Sequence, residues 1–361
     1  MTTPDLPTTI RLGELFSGPG GIGYGAKTAH VPEAPEYKIV HQWANDYDED
    51  SCRTYARNVV GDVDSPSVIH GDIKTLDYGL LEEHGDIDGL AFGFPCNDFS
   101  NVGERLGFDG KFGPLYTYGI KALKQFRPYF FLAENVGGLT SKKQQTAFRT
   151  ILADMRSSGY RLVPHLYKFE QYGVPQARHR IIIVGIRDDL DLEFKVPSPE
   201  QYSGVDVSVK TALANIPAWA THQELTRQSQ TVVERLSLIK PGENAFTADL
   251  PEHLRIKTAT QISQIYRRLH PDLPSYTVTG SGGGGTHVYH HEEPRALTNR
   301  ERARLQTFPD SFVFEGSKES VRKQIGMAVP VDGARIIFEA IIRTFAGIPY
   351  DSVPSSMEPI N

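Results

Sequence analysis

Short apolar runs alternate with helix-like segments from the N-terminus to about residue 190, and this alternation restricts the fold more than any other feature. The runs have strand length, and the segments between them have the spacing of amphipathic helices. The pattern predicts an α/β fold with a doubly wound, mainly parallel sheet that is covered by helices on both faces. Strands are predicted at 10–15, 37–44, 67–70, 89–92, 129–134 and 180–186, and helices at 22–29, 48–58, 116–126 and 144–158.

The alternation ends after about Leu190, where prolines and glycines interrupt the chain. Beyond it the sequence predicts irregular structure, including a flexible glycine run at 281–285. Helical signals then return, because Thr298 and Glu301 have the spacing of a capping box. A final apolar helix is predicted at 331–345, and it could return to the first domain and close it.

Chain length supports two domains, since 361 residues are too many for one ordinary core. We predict a larger sheet domain from 1–190 plus 325–361 and a smaller, irregular domain from 191–324. Nothing in the sequence approaches the roughly 18 consecutive apolar residues of a membrane span, and the N-terminus lacks a secretory signal. Two cysteines, Cys52 and Cys96, are too few for a disulfide framework. We therefore expect a cytoplasmic protein without membrane contact.

The formal net charge of −6 argues only weakly against nucleic-acid binding, because phosphate binding needs a local basic face. Residues 255–304 supply a candidate, with eight Lys or Arg against four Asp or Glu. A solvated charged face is the favoured interpretation of this segment when it is taken alone. His287, His290 and His291 lie within it without a nearby cysteine pair, so we predict no metal site.

A glycine-rich loop, Gly18-Pro19-Gly20-Gly21-Ile22-Gly23, follows the first predicted strand and opens the first helix. Glycines at such a place let the backbone turn sharply and let a ligand approach closely. Asp46 follows the next strand, where a carboxylate could accept hydrogen bonds from ribose hydroxyls, and Asp72 follows the third. The arrangement predicts a nucleoside-containing cofactor, either NAD or S-adenosylmethionine, and a plain turn is the alternative.

Three kinds of reactive side chain also lie at the ends of predicted strands. Cys96 lies in a polar loop after a buried strand, with Pro95 before it, and could present its thiol at a cleft. Glu134 ends an apolar run, where a carboxyl group is costly unless it is paired or functional. Arg178 and Arg180 could activate the thiol, and an ion pair between Glu134 and one of them is the purely structural alternative. Cys52, inside a predicted helix, is interpreted as a small buried hydrophobe.

These segments together resemble the bacterial DNA cytosine-5 methyltransferases. The resemblance runs in the family's order from about residue 12 to 345. It rests on the loop from Phe16 to Gly21, Gly93-Phe94-Pro95-Cys96 with Ser100, Glu134-Asn135-Val136, Gln176 to Arg180, Arg295 to Asp310, Gln324-Ile325-Gly326 and Ala328-Val329-Pro330.

The resemblance implies a sheet of the S-adenosylmethionine-dependent methyltransferase type and a smaller target-recognition domain. It also implies that Cys96 adds to C6 of a flipped-out cytosine, that Glu134 contacts N3 and the exocyclic amine, and that Arg178 and Arg180 hold the cytosine carbonyl, Glu134 or a phosphate. The cofactor residues that it implies are Phe16, Ser17, Gly18, Gly20, Gly21, Ile22, Asp46, Tyr47, Asp72, Ile73, Pro95, Leu115, Met327, Ala328 and Val329.

The expected partner is double-stranded DNA, read at a short specific sequence by a monomeric enzyme. A cognate restriction endonuclease or defence-system components are possible further partners. Three positions depart from the family pattern: Asn97, Phe112 and Met327. Alternatives are a tRNA cytosine-5 methyltransferase of the same fold, an NAD-dependent oxidoreductase, and a catalytically silent DNA-binding protein.

Overall fold

The computed structural model describes residues 6–94, 115–136, 145–256 and 263–357. Contacts within the chain divide it into two units. We call the first the sheet unit, which comprises Met1–Lys168, His179–Gln201 and Gly333–Asn361. The second, which we call the irregular unit, comprises Phe169–Arg178 and Tyr202–Asp332.

The strands confirm the predicted parallel sheet. Their bounds are β1 Thr9–Leu15, β2 Lys38–Asp46, β3 Val68–His70, β4 Gly89–Gly93, β5 Phe130–Val136, β6 Tyr160–Lys168, β7 Gln176–Ala177, β8 His179–Arg187, β9 Val196–Pro197, β10 Ser275–Tyr276 and β11 Ser352–Val353. Among the described residues, the main sheet has seven strands in the order β3-β2-β1-β4-β5-β8-β6. The first five strands of the chain are parallel to one another, and β8 is antiparallel to β5 and β6.

Strand β6 was not predicted, although all six predicted strands are present. Its middle residue, Pro164, lacks a backbone N–H, and proline within a run argues against a central strand. The structure places β6 at the sheet edge, where β8 is its pairing partner, so one side of the strand needs no ladder. Its side chains alternate between buried and more exposed positions along much of its length.

The helices have the bounds α1 Gly21–Thr28, α2 Glu49–Tyr55, α3 Tyr78–Glu82, α4 Tyr116–Phe126, α5 Gln145–Arg156, α6 Val209–Leu213, α7 Gln230–Leu238, α8 Asn299–Leu305, α9 Lys318–Met327 and α10 Val331–Ala346. A π-helical turn, Ala56–Val60, continues α2. The four helices predicted in the first half of the chain are all present. Helix α3 was missed because five residues are too few for a helical period to stand out. None of the helices in the described ranges combines the length and apolarity that crossing a membrane requires.

Aromatic side chains bury both faces of the sheet. Phe131 of β5 is fully buried on one face, with its ring centroid 5.2 Å from that of Tyr160 and 5.9 Å from that of Phe92. On the opposite face the neighbouring Phe130 packs edge-on against Phe345 of α10, at 5.5 Å between centroids. The predicted last helix therefore does return to the first part of the chain and closes the sheet.

The irregular unit contains only short helices and two-residue strands among its described residues. The capping box at α8 is present as predicted: Glu301 N donates to Thr298 Oγ1 at 3.2 Å, and Thr298 N donates to Glu301 Oε2 at 2.7 Å. A unit with so little regular structure leaves many carbonyl groups without a ladder partner, and these groups need donors from elsewhere.

Buried arginines supply many of those donors. Arg268 donates to the carbonyls of Leu236, Ile239, His290 and His291. Arg300 donates to those of Thr221, Pro309 and Phe312. The interpretation of residues 255–304 as a solvated charged face is therefore wrong for these arginines, which are buried. Counting charges could not show this, because the carbonyl partners are distant in the sequence.

Candidate active site and its relatives

The glycine-rich loop links β1 to α1 at the carboxyl edge of the sheet. Gly18 and Gly20 have φ angles of +53° and +95°, in the left-handed region that glycine adopts without strain. Gly20 caps α1, and Gly18 N donates to Asp46 Oδ2 at 2.8 Å. The predicted loop and the predicted carboxylate are therefore brought together at adjacent strand ends. Strand β1 lies between β2 and β4, at the point where the strand order reverses, which is where open α/β sheets bind ligands.

Asp46 has a supporting contact on each carboxylate oxygen. Oδ2 accepts the Gly18 N–H, and Oδ1 accepts the Asp48 N–H at 3.0 Å. Burial raises the pKa of Asp46, and these backbone donors oppose the rise. The structure thus gives this carboxylate a role in holding the loop, and its contact with a ribose stays a prediction.

The other predicted cofactor residues differ in their access to a ligand. Tyr47 and Asp72 are exposed, and Asp72 Oδ1 accepts the Lys74 N–H at 3.0 Å. Phe16 is half-buried with a φ of +55°. Gly21, Ile22, Ile73 and Leu115 are buried, which leaves their side chains little exposed surface.

Ser17 fits the expected cofactor for a different reason. Its Oγ is buried and has no hydrogen-bond partner among the described residues. A buried hydroxyl without a partner is costly, and a polar ligand group at the loop would satisfy it. Space is open at the neighbouring Gly18, because a Cβ added there would meet no described atom within 4 Å.

A partly buried hydrogen-bond chain that was not predicted lies beneath the loop. Tyr55 Oη donates to Glu14 Oε2 at 3.2 Å and lies 3.2 Å from Nδ1 of His41, whose Nε2 is 2.8 Å from Ser67 Oγ. A Cβ at Gly23 would come within 2.6 Å of Tyr55 Oη and 2.7 Å of Glu14 Oε2. The first turn of α1 therefore rests directly on this pair.

Burial shifts the pKa of two groups in this hydrogen-bond chain, Glu14 and His41. It raises the pKa of Glu14 to about 8, and the hydrogen bond from Tyr55 opposes the rise. It lowers the pKa of His41 to about 4. At neutral pH both side chains are therefore mainly uncharged. Sequence could have drawn attention to Glu14, because it is an acidic residue within a mostly buried strand, β1.

Glu134 and Arg180 form an ion pair, with Arg180 Nε 2.9 Å from Glu134 Oε1 and both side chains largely buried. Burial lowers the pKa of Arg180, and the carboxylate of Glu134 opposes that effect. In the sheet register Glu134 lies opposite Gly93, the last residue of β4. The ion pair that sequence offered as a structural alternative exists, and it lies beside the end of β4, the strand that leads to Cys96.

Asn135 is a further residue of this site that sequence reasoning did not single out. It is buried, and its Nδ2 donates to the carbonyl oxygen of Phe94 at 3.1 Å. This bond fixes the chain where β4 ends, two residues before Cys96 in the sequence. Pro95, Cys96, Asn97 and Phe112 lie outside the described residues.

The remaining predicted residues belong to the irregular unit. Arg178 is 1% exposed and donates to the carbonyls of Val278 at 3.1 Å and Gly326 at 3.0 Å. These contacts tie its own segment to α9 and to the loop before the glycine run. Met327 is about half exposed, whereas Ala328 and Val329 are buried.

Cys52 is buried as predicted, and burial raises the pKa of its thiol to about 12. Its Sγ donates to the carbonyl oxygen of Asp46 at 3.4 Å. Among the described residues, no group of three His, Cys, Asp or Glu side chains is arranged to hold a metal ion.

The sheet topology, the glycine loop and the Glu134–Arg180 pair are features expected of an enzyme that methylates cytosine in DNA. The family model for C-5 cytosine-specific DNA methylases matches residues 10–343. The chain belongs to this family, whose members use S-adenosylmethionine, and it is a DNA (cytosine-5-)-methyltransferase.

Individual relatives agree with this assignment over most of their length. The chain is 57% identical over 360 residues to the type II methyltransferase M.BbvI of Brevibacillus brevis, covering 97% of this chain and 95% of that protein. It is 38% identical to the type II methyltransferase M.NgoFVII of Neisseria gonorrhoeae, covering 92% and 86%.

Solved structures support the fold. A putative DNA modification methyltransferase encoded within an Escherichia coli prophage matches with a TM-score of 0.71 at 24% identity, covering 93% of this chain and 99% of that one. The Dnmt2 methyltransferase of S. pombe matches with a TM-score of 0.62 at 20% identity, covering 94% and 99%.

Proposed function

We propose that the enzyme transfers a methyl group from S-adenosylmethionine to C5 of a flipped-out cytosine in duplex DNA, through a transient bond between Cys96 and C6. The observation that carries this proposal is the Glu134–Arg180 pair, in which Glu134 of β5 lies opposite Gly93 in the sheet register. It supplies a carboxyl group, held by a buried guanidinium, next to the strand that leads to Cys96.

The loop from Phe16 to Ile22 would hold the cofactor, with Ser17 Oγ as a polar contact and Asp46 shaping the loop. Tyr47, Asp72, Pro95 and Leu115 are proposed as further cofactor contacts, and so are Met327, Ala328 and Val329. The cofactor supplies an electrophilic methyl group on a sulfonium. The chain's own contribution is to orient it, since the left-handed glycines and the Asp46 carboxylate fix the loop before a ligand arrives.

At the cytosine, the Cys96 thiolate forms a bond to C6, and the electron pair displaced from the C5–C6 bond makes C5 nucleophilic. Glu134 hydrogen-bonds N3 and the exocyclic amine, which stabilises the charge that develops on the ring. Arg180 holds Glu134 in position and is proposed to contact the cytosine carbonyl or a phosphate, whereas the donors of Arg178 are taken up by the Val278 and Gly326 carbonyls. C5 would then accept the methyl group, with S-adenosylhomocysteine as the leaving group. A base would take the C5 proton, and the electron pair of that C–H bond would restore the C5–C6 double bond and break the bond between C6 and sulfur.

Catalysis is assigned to the part of the chain formed by 1–190 plus 325–361, and target recognition to 191–324. The type II relatives support a modification enzyme that acts at one short sequence and is paired with a restriction endonuclease. Bisulfite sequencing of DNA from cells that express the chain would identify the methylated sequence. Methylation scattered without sequence preference would contradict the type II assignment.

Methyl transfer from labelled S-adenosylmethionine tests the residue roles. Cys96→Ser is expected to abolish transfer to duplex DNA, and Cys52→Ser, the matched control at the buried thiol, is expected to retain it. Glu134→Gln should lower kcat by about 10²–10³, the usual cost of losing such a transition-state contact. An active Cys96→Ser enzyme would refute the covalent route, and transfer to tRNA but not to duplex DNA would refute the assigned substrate.

A further inference from the structure

The C-terminus of α9 needs hydrogen-bond donors that the helix itself cannot supply. The last carbonyl groups of any helix have no partner within it and depend on side chains, water or neighbouring backbone. Helix α9 ends at Met327, and Pro330, three residues later, has no N–H group. Met327 and the two residues that follow it are proposed above as cofactor contacts. Whatever fixes this end of the helix therefore also fixes those contacts.

Gln306 holds this segment at both of its ends. The residue is fully buried, and its Nε2 donates to the carbonyl oxygen of Ile325 at 2.7 Å and to that of Ala328 at 3.3 Å. Its own backbone carbonyl accepts the N–H of Val331 at 3.1 Å. One buried amide residue, about 20 positions away in the sequence, thus joins the last turn of α9 to the first residue of α10.

The neighbours of Gln306 fix its orientation. Nε2 of Gln176 donates to Gln306 Oε1 at 2.9 Å, which leaves the Nε2 of Gln306 to face the carbonyls of α9. Thr307 has a φ angle of +58°, which a β-branched residue rarely adopts, and its Oγ1 accepts the N–H of Asp332 at 2.9 Å. Because such a conformation costs free energy, it persists only where surrounding contacts impose it.

Arg178 donates to the middle of the same segment. Its Nη2 donates to the carbonyl oxygen of Gly326 at 3.0 Å and lies 3.5 Å from that of Met327. The end of a helix carries partial negative charge, so a guanidinium group is favourable there. Between them, Arg178 and Gln306 direct a donor at each of the four carbonyls from 325 to 328. Both side chains belong to the irregular unit, as does the segment that they hold.

We propose that Arg178 and Gln306 are positioning residues that hold the end of α9 ready for the cofactor. A segment that is ordered before its ligand arrives binds more tightly, because the entropy of ordering has already been lost. The two side chains act through the carbonyls of 325–328 and do not themselves touch the cofactor, the cytosine or a phosphate. This inference rests on the cofactor contacts of the proposed function, and it gives Arg178 a different role from that of Arg180.

The test compares cofactor binding, DNA binding and turnover in the full-length enzyme. Gln306→Met keeps a side chain of similar length but removes the amide donor, and we expect it to raise the Kd for S-adenosylmethionine about tenfold in calorimetry without DNA. The kcat at saturating cofactor and the Kd for duplex DNA, measured by fluorescence anisotropy, should stay within about twofold of the wild type. Hydrogen exchange at 326–331 should rise in this variant before any ligand is added.

Asn299→Leu is the matched control. Asn299 is also buried, and its Nδ2 donates to the carbonyl oxygen of Lys318 at 2.9 Å, at the opposite end of α9. The substitution removes a buried amide donor from the same helix without touching 325–331. We expect it to lower the free energy of unfolding as Gln306→Met does, but to leave the Kd for S-adenosylmethionine unchanged.

Two further pairs of variants complete the test. Arg178→Lys keeps a charged donor at the end of the helix, so it should retain more cofactor affinity than Arg178→Met, while both bind duplex DNA as the wild type does. Thr307→Ala leaves the buried amides in place and removes only the acceptor for Asp332 N. It should weaken cofactor binding about threefold, and Thr307→Ser should restore it. This milder pair decides the matter if Gln306→Met fails to fold by circular dichroism.

Three results would overturn the positioning role. The first is an unchanged Kd for S-adenosylmethionine in Gln306→Met or, where that variant does not fold, in Thr307→Ala. The second is an equal loss of affinity in Asn299→Leu, which would indicate general destabilisation. The third is a loss in Arg178→Met that is confined to DNA binding or kcat, which would indicate contact with the cytosine or a phosphate. A wild-type enzyme that binds no S-adenosylmethionine would instead contradict the proposed function.

Discussion

The two units of the molecule are stabilised by different means. In the sheet unit, backbone groups pair along a seven-stranded ladder in the described residues, and aromatic side chains such as Phe130 and Phe131 fill both faces. In the irregular unit, carbonyls far apart in the sequence are joined by buried arginines such as Arg268. A sheet can therefore be recognised from the local periodicity of the sequence. A unit that is held together by buried arginines cannot, because in the sequence these residues look like surface charges.

Truncating a core aromatic should cause the largest loss of stability. Phe131→Ala would remove a fully buried ring that contacts Phe92 and Tyr160, and Phe→Ala changes of this kind cost about 4 kcal/mol. Urea unfolding should show this loss, and hydrogen exchange should place it in β4, β5 and β8. Phe131→Leu should cost much less. Equal effects of Ala and Leu would show that the ring's packing is not what stabilises the sheet.

Removing a carbonyl-bonding arginine should have the next largest effect. Arg268→Met keeps much of the side-chain volume but leaves four buried carbonyls without this donor, and we expect a cost of about 3 kcal/mol. Hydrogen exchange should rise in 232–296 and stay unchanged in the main sheet. Protection lost equally in both units would contradict the distinction drawn between them.

Glu14 makes the sheet unit sensitive to pH. Its folded pKa of about 8 lies above the value of 4.5 expected for an exposed Glu, with Tyr55 and Asp46 as its titratable neighbours. Between these pKa values the folded state holds a proton that the unfolded state has lost, so stability falls as pH rises from 5 to 8. Relative to Glu14→Gln, the wild type should lose at least about 2 kcal/mol over this range. Parallel stability curves for the two proteins would show that Glu14 does not titrate in this way.

The capping box of α8 should contribute the smallest of these effects. Thr298→Ala removes the acceptor for Glu301 N and is expected to cost about 1 kcal/mol. Thr298→Ser keeps the hydroxyl and should restore most of it in the same urea titration. A Ser variant as unstable as the Ala variant would mean that the methyl group, not the cap, is what matters.

Sequence predicted the parts of the site that depend on local pattern. The glycine loop, Asp46 and Glu134 all lie at strand ends as expected, because parallel strands bring their carboxyl ends to one edge. It could not predict Glu14 as a support for the loop, since its partner Tyr55 lies 41 residues away. Nor could it separate Arg180, which pairs with Glu134, from Arg178, which donates to carbonyls of the irregular unit.

The same reasoning explains the misinterpreted basic segment. Four arginines between 295 and 304 are close neighbours in sequence but have different kinds of partner. Arg295 pairs with two carboxylates, and Arg300 donates to three carbonyls. Arg302 contacts an imidazole and a distant carbonyl, whereas Arg304 pairs with Asp310 and donates to further carbonyls. Only tertiary structure assigns these partners. It also reveals that Arg302 is the member whose charge is least accounted for.

The covalent route is tested most directly by trapping the enzyme on DNA. Duplex DNA that carries 5-fluorocytosine at the methylated position blocks the final elimination, because fluorine at C5 cannot leave as a proton does. With S-adenosylmethionine present, a denaturing gel should show a shifted band, and peptide mass spectrometry should place the attached nucleotide on Cys96 and not on Cys52. A methylating enzyme that yields no adduct, or an adduct on another residue, would contradict the assigned nucleophile.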